Sequence, residues 1–222
     1  MDRHRIGIVI PALNEGTTIG PVVAAAAKYG KIIVVDDGSD DNTGEIATAF
    51  GAYVVRHEQN QGYDRALNSG FAYAASQSLE YTISLDADGQ HDPEIILAFI
   101  GALNDGADVV LGKRNKLQRL GEHCFAVMTK ILFGISDPLC GLKGYRMSVY
   151  NALGHFDSCG SIGTELALFA ARNKYKIKQI PIIVSDREGA SRFGRKLKAN
   201  YLISRALIKS LFWAMRASKK VR

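Results

Sequence analysis

The sequence predicts an α/β fold organised around a doubly wound, mostly parallel sheet. Three observations carry that expectation. Short, near-continuous apolar runs at residues 6–10, 31–35, 53–55, 81–85 and 109–111 have the character of strands buried on both faces. Helical patterns separate most of these runs, and a strand–helix alternation produces parallel pairing. Polar, carboxylate-rich segments follow three of the runs, at what become the carboxyl ends of strands, where open α/β sheets gather their ligands.

The elements follow in order. Asn14 and Thr17 announce a first helix over residues 19–29, Asp40 and Thr43 a second over residues 46–50, and Gly30 and Gly51 close them. An alanine-rich helix is expected over residues 66–75. Pro93 stands at a first helical position, and Ile95, Ile96, Phe99, Ile100 and Leu103 give the helix after it one apolar face. Beyond about Gly112 the alternation weakens into helices, a short strand near residues 142–147, another near 177–184, and a basic C-terminal helix. The expected division is a main domain over residues 1–195 and an amphipathic helix over 196–222.

A chain of 222 residues can bury one substantial core, and 47% hydrophobic with 23% charged residues is ordinary globular composition, which excludes a disordered or fibrous protein. The net charge is +6, with basic residues crowding the last third, so anionic partners are expected there. Cys124, Cys140 and Cys159 have no metal-ligand spacing, and the N-terminus lacks a secretory pattern, so a reducing, cytosolic setting is expected. The longest apolar stretch, residues 199–215, is interrupted by Arg205 and Lys209 and falls short of the roughly 20 residues a spanning helix needs.

The polar strand ends carry the candidate chemistry. Asp86-Ala87-Asp88 sets two carboxylates on one loop, a spacing that can present oxygen ligands to a hard cation such as Mg²⁺ or Mn²⁺. The alternative is a turn in which Asp88 or Asp92 caps the next helix. Asp36-Asp37-Gly38-Ser39 can accept hydrogen bonds from a ribose or base, or can begin a helix. In Asn60-Gln61-Gly62-Tyr63-Asp64-Arg65 the glycine permits close approach of backbone to a ligand and Arg65 can reach a phosphate; the plain alternative is a loop before a helix. Glu165 lies among apolar residues, where a carboxylate needs a basic partner. Of the histidines His57, His91, His123 and His155, only His91 falls inside a motif, and none is assigned as a base.

In this order the segments Ile10-Pro11-Ala12-Leu13-Asn14-Glu15, Val34-Val35-Asp36-Asp37-Gly38-Ser39, Asn60-Gln61-Gly62, Asp86-Ala87-Asp88-Gly89-Gln90-His91 and Asp137-Pro138-Leu139-Cys140-Gly141 resemble the family 2 glycosyltransferases, in particular the branch acting on polyprenyl phosphates. The resemblance implies a GT-A type fold and a metal-dependent transfer from a nucleotide-diphosphate sugar. It implies that Pro11, Asn14, Glu15, Asp36 and Asp37 hold the nucleoside, with Gly62 beside the donor, and that Asp86, Asp88 and Gln90 surround Mg²⁺ or Mn²⁺. Asp88 and Arg114 then serve catalysis, with Arg114 near the transferring phosphates, and Arg119 grips an acceptor phosphate. Residues 187–192 look like the family's late basic loop over the donor, which implicates Arg187 and Arg192. Two guanidinium groups beside Gly189 and Ser191 also suit bidentate phosphate binding on physical grounds.

A phosphate monoester is largely ionised near neutral pH, its second pKa being about 6, so it needs positioning more than deprotonation. The lack of an obvious base therefore favours a phosphate nucleophile over a sugar hydroxyl, and the resemblance implies that this phosphate is a dolichyl or undecaprenyl phosphate, attacked through direct, inverting displacement. If the acceptor is instead a saccharide hydroxyl, Asp137 is the first carboxylate to test as base. A nucleotidyltransferase would need a glycine- and basic-rich loop after the first strand, and residues 11–16 lack it. A non-catalytic module binding RNA or anionic lipid would explain the basic tail but leaves the three acidic strand ends unexplained. The C-terminal helix, with apolar residues such as Tyr201, Ile208 and Phe212 and basic residues such as Arg205 and Lys209, is expected at the cytoplasmic face of a membrane or against a membrane-bound partner.

Overall fold

The structure is a computed structural model describing residues 2–117, 119–183 and 196–217. Its sheet has seven strands, β1 (Ile6–Ala12), β2 (Lys31–Asp36), β3 (Tyr53–Arg56), β4 (Tyr81–Ser84), β5 (Val109–Arg114), β6 (Lys143–Arg146) and β7 (Ile177–Ile182), in the order β3-β2-β1-β4-β6-β5-β7. Every pairing is parallel except those of β6, which runs antiparallel to both β4 and β5.

Alternation of side chains along the central strands builds two cores. Ile6, Ile8 and Ile10 of β1, with Ile32 and Val34 of β2, meet α1 (Ile19–Ala26), α2 (Thr43–Ala49) and α4 (Ile95–Asn104) on one face. Val9, Ile33 and Val35 point the other way, toward α3 (Tyr63–Ser76), α6 (Met147–Leu153) and α7 (Glu165–Arg172). Every residue of β1 is buried, as expected of a central parallel strand covered on both sides. Burying each of these isoleucines and valines is worth roughly 1.5–3 kcal/mol. The edge strands depart from the two-face expectation: in β3, Tyr53 is 58% exposed, because that strand has one neighbour and incomplete helical cover. A third, smaller cluster joins α5 (Leu120–Phe133) to α8 (Lys196–Ala217) through Phe125, Ile203 and Ala206.

Helix boundaries differ from the sequence expectation in an informative way. The N-caps of α1 and α2 are Thr18 and Asn42, and neither makes a side-chain capping bond. The polar residues expected to cap are used elsewhere: Thr43 Oγ1 accepts from the Glu15 N–H at 2.9 Å, and Asn14 Oδ1 accepts from the Asp40 N–H at 2.8 Å. Likewise α4 starts beyond Pro93, with Glu94 at its N-cap.

The antiparallel β6 accounts for the weakened alternation after Gly112 and positions the site. Lys143, the first residue of β6, pairs with Ser84 at the carboxyl end of β4 and with Leu111 in the middle of β5. Because β6 runs the opposite way, the segment entering it, from Asp137 to Leu142, lies at that same edge. Among the described residues no helix is long and apolar enough to cross a membrane.

Candidate active site

Two strand-end loops are stitched together on the β1–β2 side. The Asp37 N–H donates to the Ala12 carbonyl at 2.9 Å, the Asn14 N–H to Ser39 Oγ at 3.0 Å, and the Gly16 N–H to Asp41 Oδ2 at 3.0 Å. Asn14 takes φ 53° to make this turn, a left-handed conformation that asparagine tolerates better than most residues. Pro11 is the last but one residue of β1, inside the buried strand.

The two aspartates of this region face inward. Asp36 is fully buried; its Oδ1 accepts the Ser39 N–H at 2.9 Å, and its Oδ2 has no hydrogen-bond partner, with Arg56 Nε 3.6 Å away. Asp37 accepts the N–H groups of Gln61 and Gly62 at 2.9 and 2.8 Å, and His57 Nδ1 lies 2.7 Å from its Oδ1. The far nitrogen of that ring is 2.9 Å from Ser69 Oγ on α3. His57, not assigned from the sequence, thus braces the loop. Gly62 takes φ 94° at the start of α3 with open space where a Cβ would be, so its conformation, not crowding, calls for glycine. A cavity of about 370 Å³ opens beside this region, lined by Gly38, Ser39, Asp40, Arg56, His57 and Glu58.

Beyond the end of β4, Asp86, Asp88 and Gln90 follow one another on one loop. The Gln90 N–H donates to Asp88 Oδ1 at 3.2 Å, Tyr63 Oη donates to Asp86 Oδ1 at 3.4 Å, and His91 Nε2 lies 3.6 Å from Asp86 Oδ2. His91 Nδ1 is buried without a hydrogen-bond partner. Asp92 Oδ1 accepts the Glu94 N–H at 2.9 Å, the capping-type bond at the entrance of α4 that the turn alternative expects. Oxygen donors from two carboxylates and an amide are the chemistry a hard divalent cation prefers.

The Asp86 carboxylate lies directly over Gly141. A Cβ at that position would sit 2.1 Å from Asp86 Oδ2, so this glycine is dictated by the site and not by backbone conformation. Gly141 belongs to a motif visible in the sequence, but its role depends on the antiparallel entry of β6.

Beside it, Arg114 at the end of β5 is clamped by Asp137. Its backbone N–H and Nε donate to Asp137 Oδ2 at 3.0 and 2.8 Å, and Nη2 donates to Oδ1 at 2.9 Å. This bidentate pairing is strong and directional. Asp137 is 2% exposed. Glu122, in the first turn of α5 and also buried, joins a second arginine: its Oε1 accepts from Arg119 Nη1 at 2.9 Å while its Oε2 lies 3.5 Å from Arg114 Nη2. Sequence reasoning missed Glu122, although its place three residues after Arg119 on a helix was the available signal. Burial and the Asp137 charge push the Cys140 thiol up to about 12, so it stays neutral beneath this network.

Behind the strand ends lies a buried polar cluster. Lys143 donates to the Gly163 carbonyl at 2.5 Å, and its ammonium pKa is lowered by burial. Asp64, next to Tyr63, is pushed up to about 6 by burial and by the Asp157 charge. Glu165 does find the basic partner its setting demands: His155 Nε2 lies 2.9 Å away and the Ser158 N–H donates at 2.5 Å. Burial pushes the Glu165 carboxyl up, but these bonds outweigh it and hold it below the usual range. Arg187 and Arg192 lie outside the described residues, so the late basic loop has no structural account.

Comparison with known proteins agrees with this architecture. The chain is 30% identical over 200 residues to a dolichyl-phosphate hexose transferase of Haloferax volcanii, covering 84% of this chain and 86% of the relative. It is 27% identical over 237 residues to a polyprenol monophosphomannose synthase of Mycolicibacterium smegmatis, covering 96% and 88%. Glucosyl-3-phosphoglycerate synthase of Mycobacterium tuberculosis, solved with Mn²⁺ and uridine-diphosphate-glucose, superposes with a TM-score of 0.72 at 23% identity, over 94% of this chain and 79% of that one, which establishes a GT-A-like fold. The pattern that defines Glycosyl transferase family 2 matches residues 7–159, and the protein, a glycosyltransferase, belongs to that family.

Proposed function

We propose that this glycosyltransferase moves a sugar from a nucleotide-diphosphate donor to a polyprenyl phosphate, with inversion at the anomeric carbon. The observation that carries the acceptor is the state of Asp137. This carboxylate is buried and accepts three hydrogen bonds from Arg114, which leaves it a positioning role and makes it a poor general base. An acceptor that arrives ionised needs no base, and Arg114 and Arg119, held in place by Asp137 and Glu122, supply guanidinium N–H donors of the kind that bind a phosphate. The relatives named for dolichyl-phosphate hexose and polyprenol monophosphomannose transfer support the same acceptor.

On the donor side, the stitched loops of Asn14, Glu15 and Ser39 frame the nucleoside, with Pro11 in the strand beneath and the Gly62 backbone closing one side. Asp36 and Asp37 act mainly by fixing these loops, since Asp36 Oδ1 accepts the Ser39 N–H and both Asp37 oxygens accept backbone N–H groups. Asp86, Asp88 and Gln90 fit a divalent cation, Mg²⁺ or Mn²⁺; when bound, it would neutralise charge building on the departing diphosphate. The Mn²⁺ complex of the M. tuberculosis synthase supports this reading. Arg187 and Arg192 are assigned to the donor phosphates on sequence grounds alone.

The displacement itself is simple. An acceptor phosphate oxygen forms a bond to the anomeric carbon as the bond from that carbon to the diphosphate oxygen breaks, and the electron pair leaves with the nucleotide diphosphate. The protein supplies alignment and charge. A panel of nucleotide sugars offered with Mn²⁺ or Mg²⁺, with a polyprenyl phosphate or its free alcohol as acceptor, tests the proposal. Transfer to the phosphate and none to the alcohol is expected. Transfer only to soluble saccharides or hydroxy acids, the glycerate phosphate seen with the M. tuberculosis synthase among them, would reverse the assignment.

A further inference from the structure

Helix α5 turns a line of apolar side chains toward solvent. Leu120, Val127 and Ile131 are 75%, 59% and 77% exposed, and exposed Cys124 stands between the first two. Spacings of four, three and four residues place all four on one stripe of a helix. The opposite side is already spent, since Phe125 and Thr129 are buried. The packed neighbour α8 repeats the pattern: Ile203, Ala206 and Ser210 turn inward, while Tyr201, Ile208 and Phe212 are 66%, 53% and 59% exposed. A surface helix of a globular protein normally confines its apolar residues to the core-facing stripe, and two adjacent helices here each carry a second one.

The charge carried by the two helices and the segment leading into α5 is almost all of one sign. Residues 113–133 and 196–217 contain a single acidic residue, Glu122, which is buried and engaged by Arg119 and Arg114. Lys113, Lys116, Lys130 and Arg205 are exposed. A second copy of the same basic face would repel this one, whereas an anionic surface complements it.

We propose that the exposed faces of α5 and α8 together form a docking surface for an anionic lipid bilayer, with the apolar stripes entering the headgroup boundary and the lysines and Arg205 meeting lipid phosphates. This surface rests, for its purpose, on the lipid-acceptor reading. Arg119 is the N-cap of α5 and adjoins Leu120, so the helix that would contact lipid begins at an arginine assigned to the acceptor phosphate. An acceptor anchored in the bilayer would then reach the site without leaving it.

Flotation of the purified full chain with vesicles tests the surface without reference to activity. Wild type should float with phosphatidylcholine vesicles containing phosphatidylglycerol at low salt, less with pure phosphatidylcholine. The double variant Val127→Ser/Ile131→Ser should bind about tenfold more weakly, through lost apolar transfer. Lys130→Gln/Arg205→Gln should weaken binding and flatten its salt dependence. Both variants should keep wild-type transfer to a short-chain, water-soluble polyprenyl phosphate. Wild type that stays with no vesicle, or a Val127→Ser/Ile131→Ser protein that floats like wild type, overturns the surface. So does a wild-type dimer that ignores vesicles and is dissociated by Ile131→Ser, which would assign the stripe to a second copy. Vesicle binding with no transfer to any lipid phosphate supports the surface and removes the acceptor reading instead.

Discussion

The β1–β2 edge and the β5–β6 edge of this enzyme are held rigid by different means. At the first, loops are tied by backbone N–H groups donating to neighbouring side chains: Glu15 to Thr43, Asn14 to Ser39, Gln61 and Gly62 to Asp37. At the second, charged side chains hold one another, Asp137 to Arg114 and Glu122 to Arg119. A loop fixed by its backbone presents a shape, suited to a nucleoside whose recognition is mostly steric and hydrogen-bonded. A network of buried ion pairs presents charge, and truncating one partner strands the other. The first edge should therefore answer to mutation chiefly through stability, and the second through acceptor handling.

The largest effect is expected where the two edges meet. Asp88→Ala should lower transfer by roughly a hundredfold or more while the far-ultraviolet spectrum and melting curve stay near wild type. Retained activity, or activity untouched by excess chelator, would separate catalysis from the carboxylate loop. Gly141→Ala forces a methyl group against the Asp86 carboxylate and should cost about 1–3 kcal/mol of stability together with most of the activity. If Gly141→Ala binds Mn²⁺ and turns over like wild type, the close packing of the two edges is functionally irrelevant.

Glu122→Gln sharpens the contrast. It keeps size and one acceptor oxygen but removes the charge shared by Arg114 and Arg119, so KM for the phosphate acceptor should rise about tenfold with little change in donor affinity. A rise in donor KM alone would move both arginines to the donor side. On the other edge, His57→Ala removes the brace on Asp37 and should lower stability by about 1–3 kcal/mol, read by thermal melting, with a smaller change in the acceptor KM.

A pH dependence of stability, away from both regions, is also expected. The Asp64 carboxyl is raised from 3.8 to about 6 in the fold, so the folded state holds its proton more tightly than the unfolded chain does. Stability on this account is fully present below about pH 4 and is lost as pH rises through about 6, by at most ~3 kcal/mol. Asp64→Asn cannot ionise, and its amide can occupy the place of the unpartnered Oδ1. Its melting temperature should vary less than that of wild type between pH 4 and 7, and identical pH profiles would remove Asp64 from the account.

Local patterns in the sequence determined most of the framework. The apolar runs of β1, β2, β4 and β5, the place of Asp86 and Asp88 on the loop after β4, and that of Asn14 and Asp37 at strand ends all follow from residues near one another in the chain, because strand burial and loop chemistry are local in origin. The need of Glu165 for a basic partner was legible too, though not that the partner is His155. Only the tertiary structure decided the direction of β6, and with it the delivery of Asp137 and Gly141 to Arg114 and Asp86, since strand pairing joins segments far apart in sequence and leaves no local periodicity. The same holds for the burial of Asp36 and Asp37 and for the second apolar stripe of α5: which face of a residue is already occupied depends on what the rest of the chain packs against it.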